Sequence, residues 1–277
     1  MKFGVSIFPT DYAIAMDELA QAAEQSGFES LWVAEHSHIP TSRLSPWSRG
    51  AELPKQYWHT MDPFVALTVA ATATKTIRLG TGICLVIQRD PIHTAKEVAS
   101  LDLVSKGRFD FGVGGGWNAE EMADHGTDFS GRWKRLRESV EAMKAIWTQE
   151  ISEYHGELVD FGPMWAWPKP VQKPHPPVIL GGSGPKILER VVRYGDGWMP
   201  NRGVVVERIP ELQSLAKAAG RGHIPVTVYP QATAEDIERY AQAGADRSIY
   251  WVSADGRDAA LRKLEELTRL VQPYVSD

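Results

Sequence analysis

The apolar positions of this chain switch repeatedly between two periods: short runs that suit buried strands, and spacings of three and four that suit helices. Residues 2–8 read as a first strand, and 13–26 as an amphipathic helix that turns Ile14, Leu19, Ala22 and Ala23 toward a core before Gly27 ends it. A second strand covers 30–34, ending in Glu35, His36, Ser37 and His38. An irregular stretch then runs to Met61, carrying Pro40, Pro46, Pro54, Trp47, Tyr57, Trp58 and His59. A connection that long in a compact fold serves as a lid or binding loop. Asp62 caps the next helix, with Pro63 in its first turn and an end near Ala73.

The centre of the pattern is the stretch 77–121. Its first part, 77–87, is apolar and β-branched with Gly80 and Gly82 inside, a buried third strand whose backbone bends or sits against something flat. Pro91 breaks it. Ala95, Val98, Ala99, Leu101 and Leu103 fall at helical spacing over 93–105, and Lys106 and Gly107 supply a cationic last turn and a stop. A fourth strand, 109–113, runs into Gly114, Gly115 and Gly116, with Trp117, Asn118 and the acidic first turn of another helix beyond. Strand, helix, strand and glycine loop in that order make a parallel βαβ unit.

Regularity continues in a helix over 132–147, lapses over the proline-rich insertion 148–177 with a hairpin around 155–157, and returns with a fifth strand, 178–180. That strand ends in Gly181, Gly182, Ser183 and Gly184, with Pro185 opening a helix. After that helix, 185–194, three shorter repeats follow: strands at 197–199, 225–228 and 246–251, each with a helix after it, at 204–219, 234–243 and 255–271. Eight strands, each followed by a helix and with no break in composition, predict one α/β domain over 1–277. Its fold is a (β/α)8 TIM barrel with insertions after strands 2 and 4.

Composition narrows the function. A net charge of −5 with Lys and Arg scattered gives no basic stripe for nucleic acid. The single cysteine, Cys84, excludes an intramolecular disulfide framework and fits a reducing compartment. The short apolar run before Pro9 is no signal peptide, and no stretch reaches the length of a membrane span, so a cytoplasmic location is expected.

Barrel chemistry sits at the C-terminal ends of strands, which selects the candidates. His36 reads as a proton donor, a metal ligand together with His38, or a histidine held by Glu35 for structural reasons. Adjacent strand residues point apart, which argues against a direct Glu35–His36 contact. The glycine loops at 114–116 and 181–184 are candidate anion cradles at helix starts; 114–116 equally reads as a tight connection without a ligand, and it lacks the dinucleotide fingerprint. Asn201 and Arg202 follow strand six. Cys84 reads as a nucleophile or as a small buried hydrophobe on strand three, and the second is favoured since no base or helix start activates it. Trp47, Trp58, Trp117 and Trp165 lie in rim loops, where aromatic rings pack loops onto a barrel or stack on a flat ligand.

Five segments carry a resemblance to the bacterial luciferase-like superfamily, most closely its F420-dependent oxidoreductases. They are SLWVAEH at 30–36, DPFVALTVAAT at 62–72, IRLGTGICLV at 77–86, DPIHTAKEVASLDLVSKGRFDFGVGGGWNAEE at 90–121 and ILGGSGPKILERVVRYGDGWMPN at 179–201. The resemblance implies a deazaflavin, coenzyme F420, at the strands' C-terminal ends, with FMN as the alternative cofactor. It implies a non-proline cis peptide joining Gly82 and Ile83 beside the ring, His36 as the catalytic residue next to the ring, Glu35 as the acid on the cofactor side and Leu85 at the ring edge. The polar tail falls to Gly114, Gly115, Asn118, Gly182, Ser183, Gly184 and Lys186. No metal is implied. The expected partners are a small-molecule substrate and a second copy of the chain, with neither nucleic acid nor membrane.

One departure bears on substrate. Sugar-phosphate dehydrogenases of the family place a catalytic carboxylate where this chain has Gly115, with Glu120 and Glu121 farther along on the helix. Reduction of an activated double bond or an imine-like group fits at least as well. The rivals are an FMN-dependent monooxygenase, a metal-dependent hydrolase barrel built on His36 and His38, and a non-catalytic deazaflavin carrier.

Overall fold

The computed structural model describes residues 1–47, 52–201 and 206–275. Strands are β1 (Lys2–Ile7), β2 (Ser30–Val33), β3 (Arg78–Thr81), β4 (Phe109–Val113), β5 (Ser152–His155), β6 (Asp160–Met164), β7 (Val178–Gly181), β8 (Gly197–Met199), β9 (Thr227–Val228) and β10 (Arg247–Trp251). Helices are α1 (Met16–Gln25), α2 (Gln56–His59), α3 (Pro63–Ala73), α4 (Pro91–Val104), α5 (Ala119–Asp124), α6 (Arg132–Thr148), α7 (Ile187–Tyr194), α8 (Arg208–Ala218), α9 (Ala234–Gln242) and α10 (Arg257–Val271).

Eight strands form one parallel row in the order β8-β7-β4-β3-β2-β1-β10-β9, and a bridge between Trp198 and Val226 joins its two ends. The result is a (β/α)8 barrel with helices outside. β5 and β6 form a separate antiparallel pair, the hairpin expected around 155–157. Inward positions of the strands carry Trp32, Ile179 and Ile249, and the barrel is filled with side chains. Trp32 needs the glycine opposite it on β3: a Cβ at Gly80 would land inside its indole. Among the described residues no helix is long and apolar enough to cross a membrane.

Several boundaries differ from expectation: Pro185 precedes α7, whose N-cap is Lys186, and two others differ for local physical reasons. Pro91 is the first residue of α4 and not a breaker before it, because Asp90 caps the helix by accepting from the His93 N–H at 2.8 Å. Asp62 and Pro63 do the same at α3, with Phe64 N at 2.8 Å. The third strand was expected to continue to Ile87 but leaves the ladder after Thr81, keeping one bridge between Cys84 and Val113 before a 3-10 turn at Val86–Gln88. The Leu85 N–H, instead of pairing with a neighbouring strand, is captured by the Glu35 carboxylate at 2.6 Å. The peptide between Gly82 and Ile83 is cis.

Candidate active site

The barrel's C-terminal mouth begins where β2 ends, and the alternation of that strand divides its last residues between two tasks. Trp32, Ala34 and His36 share the inner side. Glu35 points away and is nearly buried, holding Leu85 N–H and the Arg89 guanidinium, with its Nε at 2.6 Å. Arg89 also pairs with Asp62 at the start of α3 and Glu97 on α4. Burial works against the Arg89 charge, but Glu35 more than offsets it and holds the guanidinium above its ordinary range. The acid expected on the cofactor side is thus engaged in fixing the segment after β3. Leu85 is itself buried, not open at a ring edge.

His36 takes its partner from 85 residues away: Nδ1 lies 2.7 Å from Glu121 Oε2, with the two side chains 7% and 1% exposed. Glu121 stands on α5, which Asn118 caps by accepting Glu121 N–H at 3.2 Å. A carboxylate at Nδ1 fixes the tautomer with its proton there, and Nε2 has no partner among the described residues. Tyr57 and Trp117 flank the ring at 5.3 and 5.8 Å between centroids. Trp47 in turn meets Tyr57 at 5.7 Å, so the described part of the long connection after β2 lies over His36, as a lid would. Glu120 points the other way and tethers that connection, accepting from Ser45 N–H at 2.7 Å and from the Ser42 hydroxyl.

Ile83 presents its side chain where neighbouring strands have no Cβ. One built on Gly114 would meet Ile83 Cδ1 at 2.5 Å, and one on Gly181 would meet Cγ2 at 2.8 Å. Gly82 is bare because the Tyr229 hydroxyl would sit 2.5 Å from a Cβ there. Ile83, Tyr229 and Met199 pack on Trp32 and Ile179 as the pocket floor. Tyr229 stacks on Trp251 at 5.7 Å and Trp251 on Phe8 at 5.2 Å, an aromatic wall that extends it.

The two glycine loops converge on a residue that sequence reasoning passed over as an ordinary helix position. Trp133, at the start of α6, lies 3.3 Å from a Cβ built on Gly115 and 3.5 Å from one on Gly182, whose φ is +124°. Arg190 lies over its ring at 4.1 Å, and Arg132 comes within 5.9 Å of it while stacking on Phe129 at 3.7 Å and donating Nη1–H to the Phe129 carbonyl at 2.6 Å. Burial, then the charge of Arg190, lowers the Arg132 pKa. No carboxylate pairs with either among the described residues, and Arg132 Nε and Asn118 Nδ2 are buried without partners. Ser183 Oγ accepts from Asn201 N–H at 2.9 Å, Gly184 has open space around it, and Lys186 is exposed at the foot of α7. This side of the mouth offers donors and positive charge that no carboxylate among the described residues pairs with. Arg202 lies outside the described residues.

The remaining candidates separate from the mouth. Cys84 is fully buried, and burial followed by the Glu35 charge pushes its thiol well above the usual range. His38 turns from His36 to Ser37 and Asp124, and among the described residues no group of three or more His, Cys, Asp or Glu could hold a metal ion.

Known proteins share this arrangement of chain. The profile of a family described as luciferase-like monooxygenase matches residues 1–273. An uncharacterised protein of Mycobacterium tuberculosis is 40% identical over 275 residues, 96% of this chain and 97% of that one. An F420-dependent hydroxymycolic acid dehydrogenase of the same organism is 29% identical across 87% of this chain, which spans 61% of it. The oxygenase component of a flavin-dependent trigonelline monooxygenase from Acinetobacter baylyi is 32% identical over 65% of this chain and 46% of its own. Two solved structures share the fold: a monooxygenase from Streptomyces bottropensis (TM-score 0.82, 22% identity, 100% of both chains) and the coenzyme F420-dependent tetrahydromethanopterin reductase of Methanopyrus kandleri (TM-score 0.79, 20% identity, 99% of both).

Proposed function

Since the chain belongs to the luciferase-like monooxygenase family, whose members among its relatives use either a deazaflavin or a flavin, we propose that it is an F420-dependent oxidoreductase acting on a small organic substrate. The observation that carries the choice is the pair of guanidiniums, Arg132 and Arg190, without a carboxylate partner beside the two glycine loops. FMN brings one phosphate. F420 brings a phosphate and further carboxylates along a flexible tail, so two cations, the exposed Lys186 and unpartnered donors on Asn118 and Arg132 fit its larger negative charge.

In this reading Gly115, Asn118, Gly182, Ser183, Gly184, Lys186, Arg132 and Arg190 hold the tail, and Ile83 supports the ring. A bound deazaflavin supplies or takes the hydride. Substrates of that chemistry also exchange a proton, and His36, with Nδ1 committed to Glu121, has Nε2 available for it. Glu35 acts behind the pocket, keeping the segment after β3 in place through Leu85 and Arg89. The aromatic lid of Tyr57 and Trp47 excludes water from the reacting atoms.

Equilibrium titration of the purified protein with F420 and FMN tests the reading: F420 is expected to bind roughly tenfold or more tightly. Equal or tighter FMN binding would move the protein to the monooxygenase branch, the second reading, which the flavin-dependent relative at 32% identity favours. Charge reversal separates them further. Arg190→Glu is expected to weaken F420 much more than FMN.

A further inference from the structure

We propose that Glu121, Ser37 and the surface histidines His38 and His125 form a proton path linking His36 to solvent. It rests on the reading that His36 exchanges a proton with substrate. His36 and Glu121 are almost completely enclosed, at 7% and 1% exposure, and with the pocket filled and the lid over it a proton gained at Nε2 has no way back on that side. It must leave through Nδ1.

The contacts beyond Nδ1 continue without interruption. Glu121 Oε2 is 2.7 Å from Nδ1, and Glu121 Oε1 accepts the Ser37 N–H at 3.1 Å and has the Ser37 hydroxyl at 3.5 Å. That hydroxyl lies 2.7 Å from His125 Nε2 and 2.9 Å from His38 Nδ1. His38 Nε2 is 2.9 Å from Asp124, which is 61% exposed. Glu121 in the first turn of α5, Asp124 at its last position and His125 at its C-cap are spaced about one turn apart, facing the residues that leave β2. Each member beyond Nδ1 can both accept and give a proton, which a merely structural bond does not require. A hydroxyl placed between two imidazole nitrogens, with one hydrogen to share, is suited to passing it either way.

The step balances as a transfer of one proton without oxidation or reduction. A proton arrives at His36 Nε2 and the Nδ1 proton passes to Glu121. A half-turn of the carboxyl carries the protonated oxygen to the place of Oε1 beside Ser37, where Ser37 Oγ takes the proton while releasing its own hydroxyl proton to His125 Nε2 or His38 Nδ1. The histidine then releases a proton to water. Reduction of a substrate runs the same path inward.

The test uses cofactor-free protein with 15N-labelled histidine, reading by NMR the exchange of the His36 Nδ1 proton with solvent. Ser37→Ala is expected to slow that exchange roughly tenfold or more, as expected for removal of a positioned acid–base group. The double variant His38→Gln/His125→Gln is expected to slow it similarly. Ser37→Thr, which returns a hydroxyl, should restore it, and the His36 ring 15N shifts should stay in place throughout because the Glu121 bond is kept. Unchanged exchange in Ser37→Ala overturns the path. So does a shifted His36 ring signal, or a slowing that Ser37→Thr does not repair, because Ser37 would then be holding structure. The readout needs no cofactor, so its failure is distinct from a failure of the F420 titration.

Discussion

His36 and Glu35 show how much one residue of offset decides. Their adjacency places them on opposite sides of the chain as it leaves β2, and the structure follows that alternation: Glu35 goes to Leu85 and Arg89, His36 to Glu121. The division was legible in the chain. The identity of the partner was not, because Glu121 lies 85 residues on and reads locally as one of two acids in a helix's first turn. Only the packing of α5 against the end of β2 tells Glu121 from Glu120, whose carboxylate holds Ser42 and Ser45. Replacing His36 with Asn should therefore lower turnover by about 10²–10⁴ while leaving cofactor affinity within a few fold. Glu121→Gln should lower turnover less and disturb its pH profile, since it keeps a hydrogen bond and removes the charge that sets the tautomer. Steady-state rates beside a cofactor titration check both. Near-normal turnover with a lost cofactor in His36→Asn would make the residue a binding group.

Elements were legible where periodicity or a cap declares them, and less so where a side chain from elsewhere intervenes. Asp and Pro at 62–63 and again at 90–91 start α3 and α4 in the same way. The early end of β3 could not be read, because the group that takes the Leu85 N–H belongs to β2's end. The start of β3 depends on a similar long-range capture. Glu24, on α1, accepts the N–H groups of Lys75, Thr76 and Ile77 at 2.9, 2.6 and 2.9 Å, and the Thr76 hydroxyl at 2.9 Å. Burial would raise its pKa, but these donors outweigh it and hold the carboxyl down to about 2. An unfolded chain returns it to about 4.3. A depressed folded pKa stabilises the fold fully above the unfolded value, and that contribution is lost as pH falls toward 2. Glu24→Gln should then cost roughly 1–2 kcal/mol at pH 7, a figure kept small because the site is open to solvent. The gap from the parent should close between about pH 4 and pH 2. Urea midpoints across that range measure it, and a gap independent of pH would show that Glu24 acts only through packing.

At the scale of the whole molecule, the eightfold alternation of strand and helix declares the barrel, but nothing local declares how its N-terminal end is closed. Four charged residues at strand starts, spread from position 29 to 247, meet there. Arg247 on β10 donates two bonds to Glu29 at 2.8 Å, and its guanidinium is 3.3 Å from Asp110 on β4. Arg78 on β3 donates to the same Asp110, with Nε at 3.1 Å. Asp110 is 3% exposed, and Arg247 also lies over Trp32, 5.2 Å from the ring. The network joins the last strand to three early ones at the end of the barrel opposite His36. Asp110 is its pivot, since removing its charge leaves the nearly buried Arg247 guanidinium and the partly buried Arg78 guanidinium facing a neutral amide. Asp110→Asn should destabilise the protein by about 3–5 kcal/mol, the cost of breaking a buried ion pair from one side. Arg247→Met together with Glu29→Leu, which removes a whole pair, should cost much less. Both variants should titrate F420 like the parent at a temperature where they stay folded, because the mouth is built from the other strand ends. Urea unfolding at pH 7 gives the comparison. An Asp110→Asn protein within about 0.5 kcal/mol of the parent would show that water reaches this network and that hydrophobic layers alone close the barrel.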